Sequence, residues 1–138
     1  ALAVHQVGIR AYCRQELDLI NTDDRIHTWF AKDVMNPCEG TKAWADWLES
    51  LSHIEGPVHL TIDIDGLDGS LVPATGTPVP GGLSFWHVVQ TIETVFANCE
   101  VVSADVNEIV SQNDTPLTEF TAAMIATKVA AAHIASLR

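Results

Sequence analysis

Val58-His59-Leu60-Thr61-Ile62-Asp63-Ile64-Asp65-Gly66-Leu67-Asp68 is the stretch on which the reading of this chain turns. Residues 58–64 form an apolar run with both faces oily, the composition of a strand buried in a parallel sheet beneath helices. The run ends in acid. Asp63 and Asp65 stand two apart, so a continuing strand places both carboxylates on one face with Cα atoms about 6.6 Å apart. Like charges that close repel and raise each other's pKa unless a cation stands between them. Open α/β sheets bind ligands at the carboxyl ends of their strands, and a hard divalent ion such as Mg²⁺ or Mn²⁺ suits two carboxylates. An acidic turn facing water explains the same residues without a ligand, and the spacing alone leaves both open. An EF-hand does not: counted from Asp63, loop position six is Asp68 instead of Gly, and position twelve is Ala74 instead of Glu.

Outward from this stretch the chain alternates strand and helix. Val4–Ile9 is a short β-branched run, a predicted strand, and residues 14–20 suggest a short helix before an Asp23-Asp24 turn. Thr41 is a candidate cap for a helix running to Leu51, with Trp44, Trp47, Leu48 and Leu51 recurring at helical spacing. Gly56-Pro57 stops it. Residues 66–82 are a loop dense in Gly, Pro, Thr and Asp, after which Ser84 is placed to cap a helix to about Ala97. A further strand is predicted over 101–106, and an Ala-rich helix over 119–137. Buried-type strands alternating with helices predict an α/β fold, a three-layer, doubly wound, mainly parallel sheet, in a single domain over 1–138. The few strands leave an open sheet side that calls for covering by something outside the chain.

Composition narrows the function. The 138 residues carry 18 acidic against 7 basic side chains, a formal charge of −11. Phosphate backbones and anionic lipid repel such a chain, so nucleic acid and membrane surfaces are unfavourable partners, while a cationic substrate is attracted. A merely soluble acidic surface accounts for the charge equally well. Cys13, Cys38 and Cys99 are scattered and odd in number, which speaks against a disulfide framework and for a reducing, cytoplasmic setting. No apolar run approaches a bilayer span.

The segment from Asp63-Ile64-Asp65-Gly66-Leu67-Asp68 through Pro73-Ala74-Thr75-Gly76-Thr77-Pro78-Val79-Pro80-Gly81-Gly82-Leu83-Ser84 closely resembles the signature of the ureohydrolase (arginase/agmatinase) family. There a strand ending in D-x-D-x-x-D precedes a loop close to P-G-T-G-T-P-x-x-G-G-L-[ST]. Gln6-Val7-Gly8-Ile9-Arg10 resembles the strand before this region. Asp105-Val106-Asn107-Glu108-Ile109, then Asp114 and Thr121-Ala122, resemble the later D-x-x-E strand, a downstream Asp and the closing helix.

The resemblance implies a C-terminal portion of an arginase-like fold and a dinuclear Mn²⁺ site. Asp63 would bridge the two ions and Asp65 would bind one. Glu108 would face the substrate guanidinium, whose planar donors suit a carboxylate. Asp68 would fix the loop from behind the ligands, and Thr77 would stand near the substrate. The implied reaction is hydrolysis of a small cationic guanidino compound to urea and an amine, with the ions activating water. Agmatine is favoured over arginine by the V-P-G-G-L-S form of the loop. Gly69, Ala74 and Ser111 depart from the family pattern but leave the ligand types intact.

The larger departure is that the family's G-G-D-H, D-A-H-x-D and H-G-x-P segments do not occur in these residues. Two carboxylates cannot fill two coordination spheres of about six, so the chain alone is expected to be inactive. His59 lies about 13 Å along the strand from Asp63, and His87 reads as a helix residue. His5, His27, His53 and His133 have no carboxylate at ligand spacing. Two functions from different classes follow: part of a guanidino hydrolase that acts with a complementing N-terminal half, or an inactive ureohydrolase-derived binding module. A homo-oligomer is implied by the resemblance.

Overall fold

The computed structural model describes residues 2–112 and 115–137. Strands β1 (Val4–Ile9) and β2 (Ile26–Phe30) run parallel and are connected through helix α1 (Arg14–Thr22). Helices α2 (Ala31–Val34) and α3 (Gly40–Leu51) lead into β3 (Pro57–Asp63), which a single 3₁₀ turn, Ile64–Gly66, brings to an end. The long loop then delivers α4 (Phe85–Asn98), β4 (Glu100–Asn107) parallel to β3, and α5 (Leu117–Ser136). This is the α/β alternation with parallel strands that the sequence predicts. Asp114 lies outside the described residues.

The predicted parallel strands are present, and their ladders fall into two pairs. β1 pairs with β2 and β3 with β4, so the described residues form two two-stranded sheets. Residues of β1 and β3 face one another across a cavity of about 440 Å³. A ladder needs strands about 4.8 Å apart, and no described segment fills the space between these two.

Three local expectations change. The 26–30 strand was not apparent because His27 and Thr28 break up the apolar residues Ile26, Trp29 and Phe30. It forms on the ladder that β1 offers, starting where Val4 N donates to Arg25 O at 2.8 Å. Thr41 does not cap α3. The helix starts at Gly40 with Glu39 in the cap position, and a Cβ at Gly40 would collide with the Val34 carbonyl. The close approach of α2 therefore sets that helix start. Finally, β3 is not oily on both faces: His59, Thr61 and Asp63 are exposed, while Ile62 is buried.

The core forms from the opposite faces. Ile64, Val72, Ile92 and Ile125 are completely buried, each a burial worth about 1.5–3 kcal/mol. Along α4, Val88, Val89, Ile92 and Val95 point inward, the spacing read from the sequence. Ser84 caps this helix as predicted. Its Oγ accepts from His87 N at 3.3 Å, and Ser84 N donates back to His87 Nδ1 at 3.2 Å, so histidine fills the place usually taken by Glu or Gln in a reciprocal cap. In α5 the buried Thr118 Oγ1 accepts from Ala74 N at 2.9 Å and moors the long loop to the last helix. No described helix is long and apolar enough to cross a membrane.

Candidate metal and substrate site

Asp63 is the last residue of β3, and its own side chain ends the strand. Oδ1 accepts from Asp65 N at 3.1 Å, a local turn that aspartate forms readily. Asp65 therefore lies in the 3₁₀ turn, off the strand, which corrects the shared-strand placement. The two groups still converge. Partial desolvation raises the pKa of the otherwise exposed Asp63, and the neighbouring carboxylates of Asp65 and Glu108 raise it further, against a lowering by the Asp65 N–H. Asp63 thus lies in the field of two further carboxylates at the end of β3.

Thr77 reaches in from the loop, donating from Oγ1 to Asp65 Oδ2 at 2.5 Å. Asp63, Asp65 and Thr77 all border the cavity between β1 and β3. Glu108 arrives from β4, one residue beyond Asn107, which lies in register with Asp63. Its backbone is left-handed, φ 61, a conformation that costs a non-glycine residue about 1–3 kcal/mol. The loop holds it there. Thr75 Oγ1 donates to Glu108 O at 2.8 Å, and Val110 N donates to Ala74 O at 3.1 Å. The carboxylate lies so near Gly76 that a Cβ there would stand 3.4 Å from Oε2.

Asp68 faces the loop and not the cavity. It accepts from Ser70 N at 3.0 Å, Ser70 Oγ at 2.6 Å and Gly81 N at 2.7 Å. These bonds, those from Ser70 foremost, hold its pKa down to about 2 from 3.8. A lowered folded-state value means that the stabilisation is complete above 3.8 and is lost as pH falls through about 2. Protection factors at the Ser70 and Gly81 amides should drop across that window, and Asp68→Asn should remove the pH dependence. A pH-independent loop in the native chain would contradict the assignment.

The role of Arg10 is not legible in the sequence. This residue follows β1 and turns its guanidinium towards main-chain carbonyls, donating to Asp65 O at 2.5 Å, Val79 O at 2.8 Å and Leu67 O at 3.1 Å. The partners lie 55 to 69 residues away, beyond the reach of any local pattern. The exposed face of β3 and β4 carries a polar row. His59 contacts Ser103 at 2.7 Å and Asp105 at 3.1 Å, Thr61 Oγ1 donates to Asp105 at 2.7 Å, and Asn107 donates to Asp105 at 2.7 Å. His59 thus has its own partners and is not drawn to Asp63. His87 is used in the α4 cap and packs edge-on against Trp44.

As oxygen donors, Asp63 and Asp65 fit a hard divalent ion, and the closeness of the two carboxylates supplies a reason for one. They fit as part of a set. Among the described residues, no three His, Cys, Asp or Glu side chains gather as a metal-holding group.

Fold and site together define a parallel α/β protein with a pair of aspartates bordering a cavity at the carboxyl end of β3. Residues 2–132 match the Arginase family, and the chain belongs to that family. It is 37% identical over 118 residues to the N(1)-aminopropylagmatine ureohydrolase of Thermococcus kodakarensis, covering 86% of this chain and 38% of that protein. The agmatinase of Pyrococcus horikoshii is likewise 37% identical over 118 residues, with the same coverage. The fold matches that of the agmatine ureohydrolase of Thermoplasma volcanium at a TM-score of 0.75 and 24% identity, over 93% of this chain and 41% of that one. The chain thus spans about two fifths of the length of these proteins.

Proposed function

We propose that this chain contributes the acidic part of a dinuclear Mn²⁺ site in a guanidino-group hydrolase that releases urea from a small cationic compound of the agmatine type. The observation that carries this reading is the pairing of Asp63 and Asp65 at the end of β3, joined by the bond from Asp65 N to Asp63 Oδ1 and with Thr77 bonded to Asp65. The names of the relatives, agmatinase and aminopropylagmatine ureohydrolase, support the same substrate class.

Asp63 and Asp65 would hold the ions. When bound, the ions supply Lewis acidity and lower the pKa of water. Thr77 fixes one oxygen of Asp65, leaving the other free to bind. Glu108 accepts hydrogen bonds from a planar guanidinium and offsets its charge. Its left-handed backbone aims the carboxylate from β4 towards Gly76 and the loop.

The remaining ligands would come from a complementing segment. The cavity between β1 and β3 supports this, because among the described residues one edge of each of these strands is unpaired beside Asp63 and Asp65. A homo-oligomer and a cytoplasmic setting belong to the same reading.

Urea release from agmatine, arginine and guanidinobutyrate with Mn²⁺ is the test. It should be absent for this chain alone and appear once a segment bearing the G-G-D-H and D-A-H-x-D motifs of a relative is supplied. Agmatine should be the best substrate of the three. If the complex forms and no urea appears, the chain is a binding module and the enzyme reading is lost.

A further inference from the structure

Among the described residues the two sheets share no ladder, yet the turn carrying Asp65 must hold a fixed place relative to β1 if the cavity between them is to keep its shape. Arg10 is the residue that spans this distance. Its Nη2 donates to Asp65 O at 2.5 Å, Val79 O at 2.8 Å and Leu67 O at 3.1 Å, and Nε donates to Val79 O at 3.2 Å. Nη1 lies 3.4 Å from Gly8 O and 3.5 Å from Gly66 O. Every one of these partners is a main-chain carbonyl. Among the described residues no carboxylate pairs with this guanidinium, although Asp63 and Asp65 border the same cavity, so its charge goes to orienting backbone.

The carbonyls belong to two segments that must meet. Asp65, Gly66 and Leu67 form the end of the 3₁₀ turn, and Val79 lies on the far limb of the loop. The same limbs are joined by Asp68 N to Leu83 O at 3.0 Å, Leu83 N to Gly66 O at 3.0 Å and Gly69 N to Val79 O at 3.3 Å. These bonds close the loop upon itself but tie it to neither sheet. Arginine alone among side chains presents five donors in a rigid fork, and a lysine ammonium at the same place can satisfy only part of the set.

We propose that Arg10 is a positioning residue for the site: its guanidinium gathers the carbonyls of Asp65, Gly66, Leu67 and Val79, fixing the turn that carries Asp65 and the loop that carries Thr77 against the end of β1. Its bearing on metal and substrate rests on the function proposed above; the positioning is judged separately.

Hydrogen exchange on the full chain tests it, with Arg10→Met and Arg10→Lys. In Arg10→Met the amides of Leu67, Asp68, Gly69 and Leu83 should exchange at least ten-fold faster, while those of α4 and of the β3–β4 ladder keep their native protection. Arg10→Lys should restore part of the loss, because a point charge recovers some of the carbonyl contacts. Native protection of the four amides in Arg10→Met overturns the proposal. Should Arg10→Met fail to fold, Arg10→Lys decides: faster exchange confined to the loop supports positioning, and native protection or chain-wide loss overturns it. The metal reading fails by a different observation, unchanged Mn²⁺ binding by a protein lacking the Asp63 carboxylate.

Discussion

Asp63→Asn should lower Mn²⁺ affinity of the complemented protein by at least about 100-fold, since loss of an outer partner of a ligand already costs 10–100-fold, and urea release should fall to background. The asparagine variant is informative because Asp63 has two tasks. Its Oδ1 accepts from Asp65 N and so ends the strand, a bond that an amide oxygen can also accept. The carboxylate, whose pKa is raised by partial desolvation and by Asp65 and Glu108, carries the charge that a cation would neutralise. Asn keeps the turn and removes the charge, whereas Asp63→Ala removes both. Both variants should lose the metal, and only the alanine variant should also loosen the 3₁₀ turn. Manganese titration followed by electron paramagnetic resonance separates them. Native affinity in Asp63→Asn would take Asp63 out of the metal site.

The second large effect falls on stability. A Cβ at Gly82 would stand 2.5 Å from Leu67 C and O and 2.7 Å from Asp68 N. All three atoms are backbone, and the same residues make the Leu67–Leu83 bridge and the bond from Asp68 N to Leu83 O at 3.0 Å. Neither limb can give way without opening the loop, so Gly82→Ala should cost on the order of 3 kcal/mol. Gly66→Ala serves as a control, since a Cβ there meets nothing within 4 Å, and its effect should stay below about 1 kcal/mol. Urea unfolding midpoints at constant slope measure both. A Gly82→Ala chain as stable as the native one would remove the steric argument.

The parts of this architecture legible in the sequence were those set by local chemistry. Val4–Ile9 is a strand as read, the aspartates of residues 63–68 mark the end of another, and Ser84 caps α4 through its own hydroxyl. What stayed hidden was set by distant neighbours. Period-two alternation carried Asp65 along the strand, but the Asp63 side chain captured its amide and turned the chain first. Helix α3 begins at Gly40 because Val34 crowds it, a contact that no capping preference encodes. The β2 strand depends on β1, and Arg10 finds its carbonyls 55 or more residues on. The acids of the site were visible because a strand end concentrates them, whereas the residue that holds their turn was not.

Glu108 carries a consequence for anyone who evolves this protein. At φ 61 its main chain suits glycine better than any branched or extended side chain. A selection that rewards heat tolerance alone would drift there to glycine or asparagine, gaining robustness while discarding the carboxylate beside Gly76. Rigidity and chemistry make opposite demands on that one position, and a laboratory screen has to reward both to keep either.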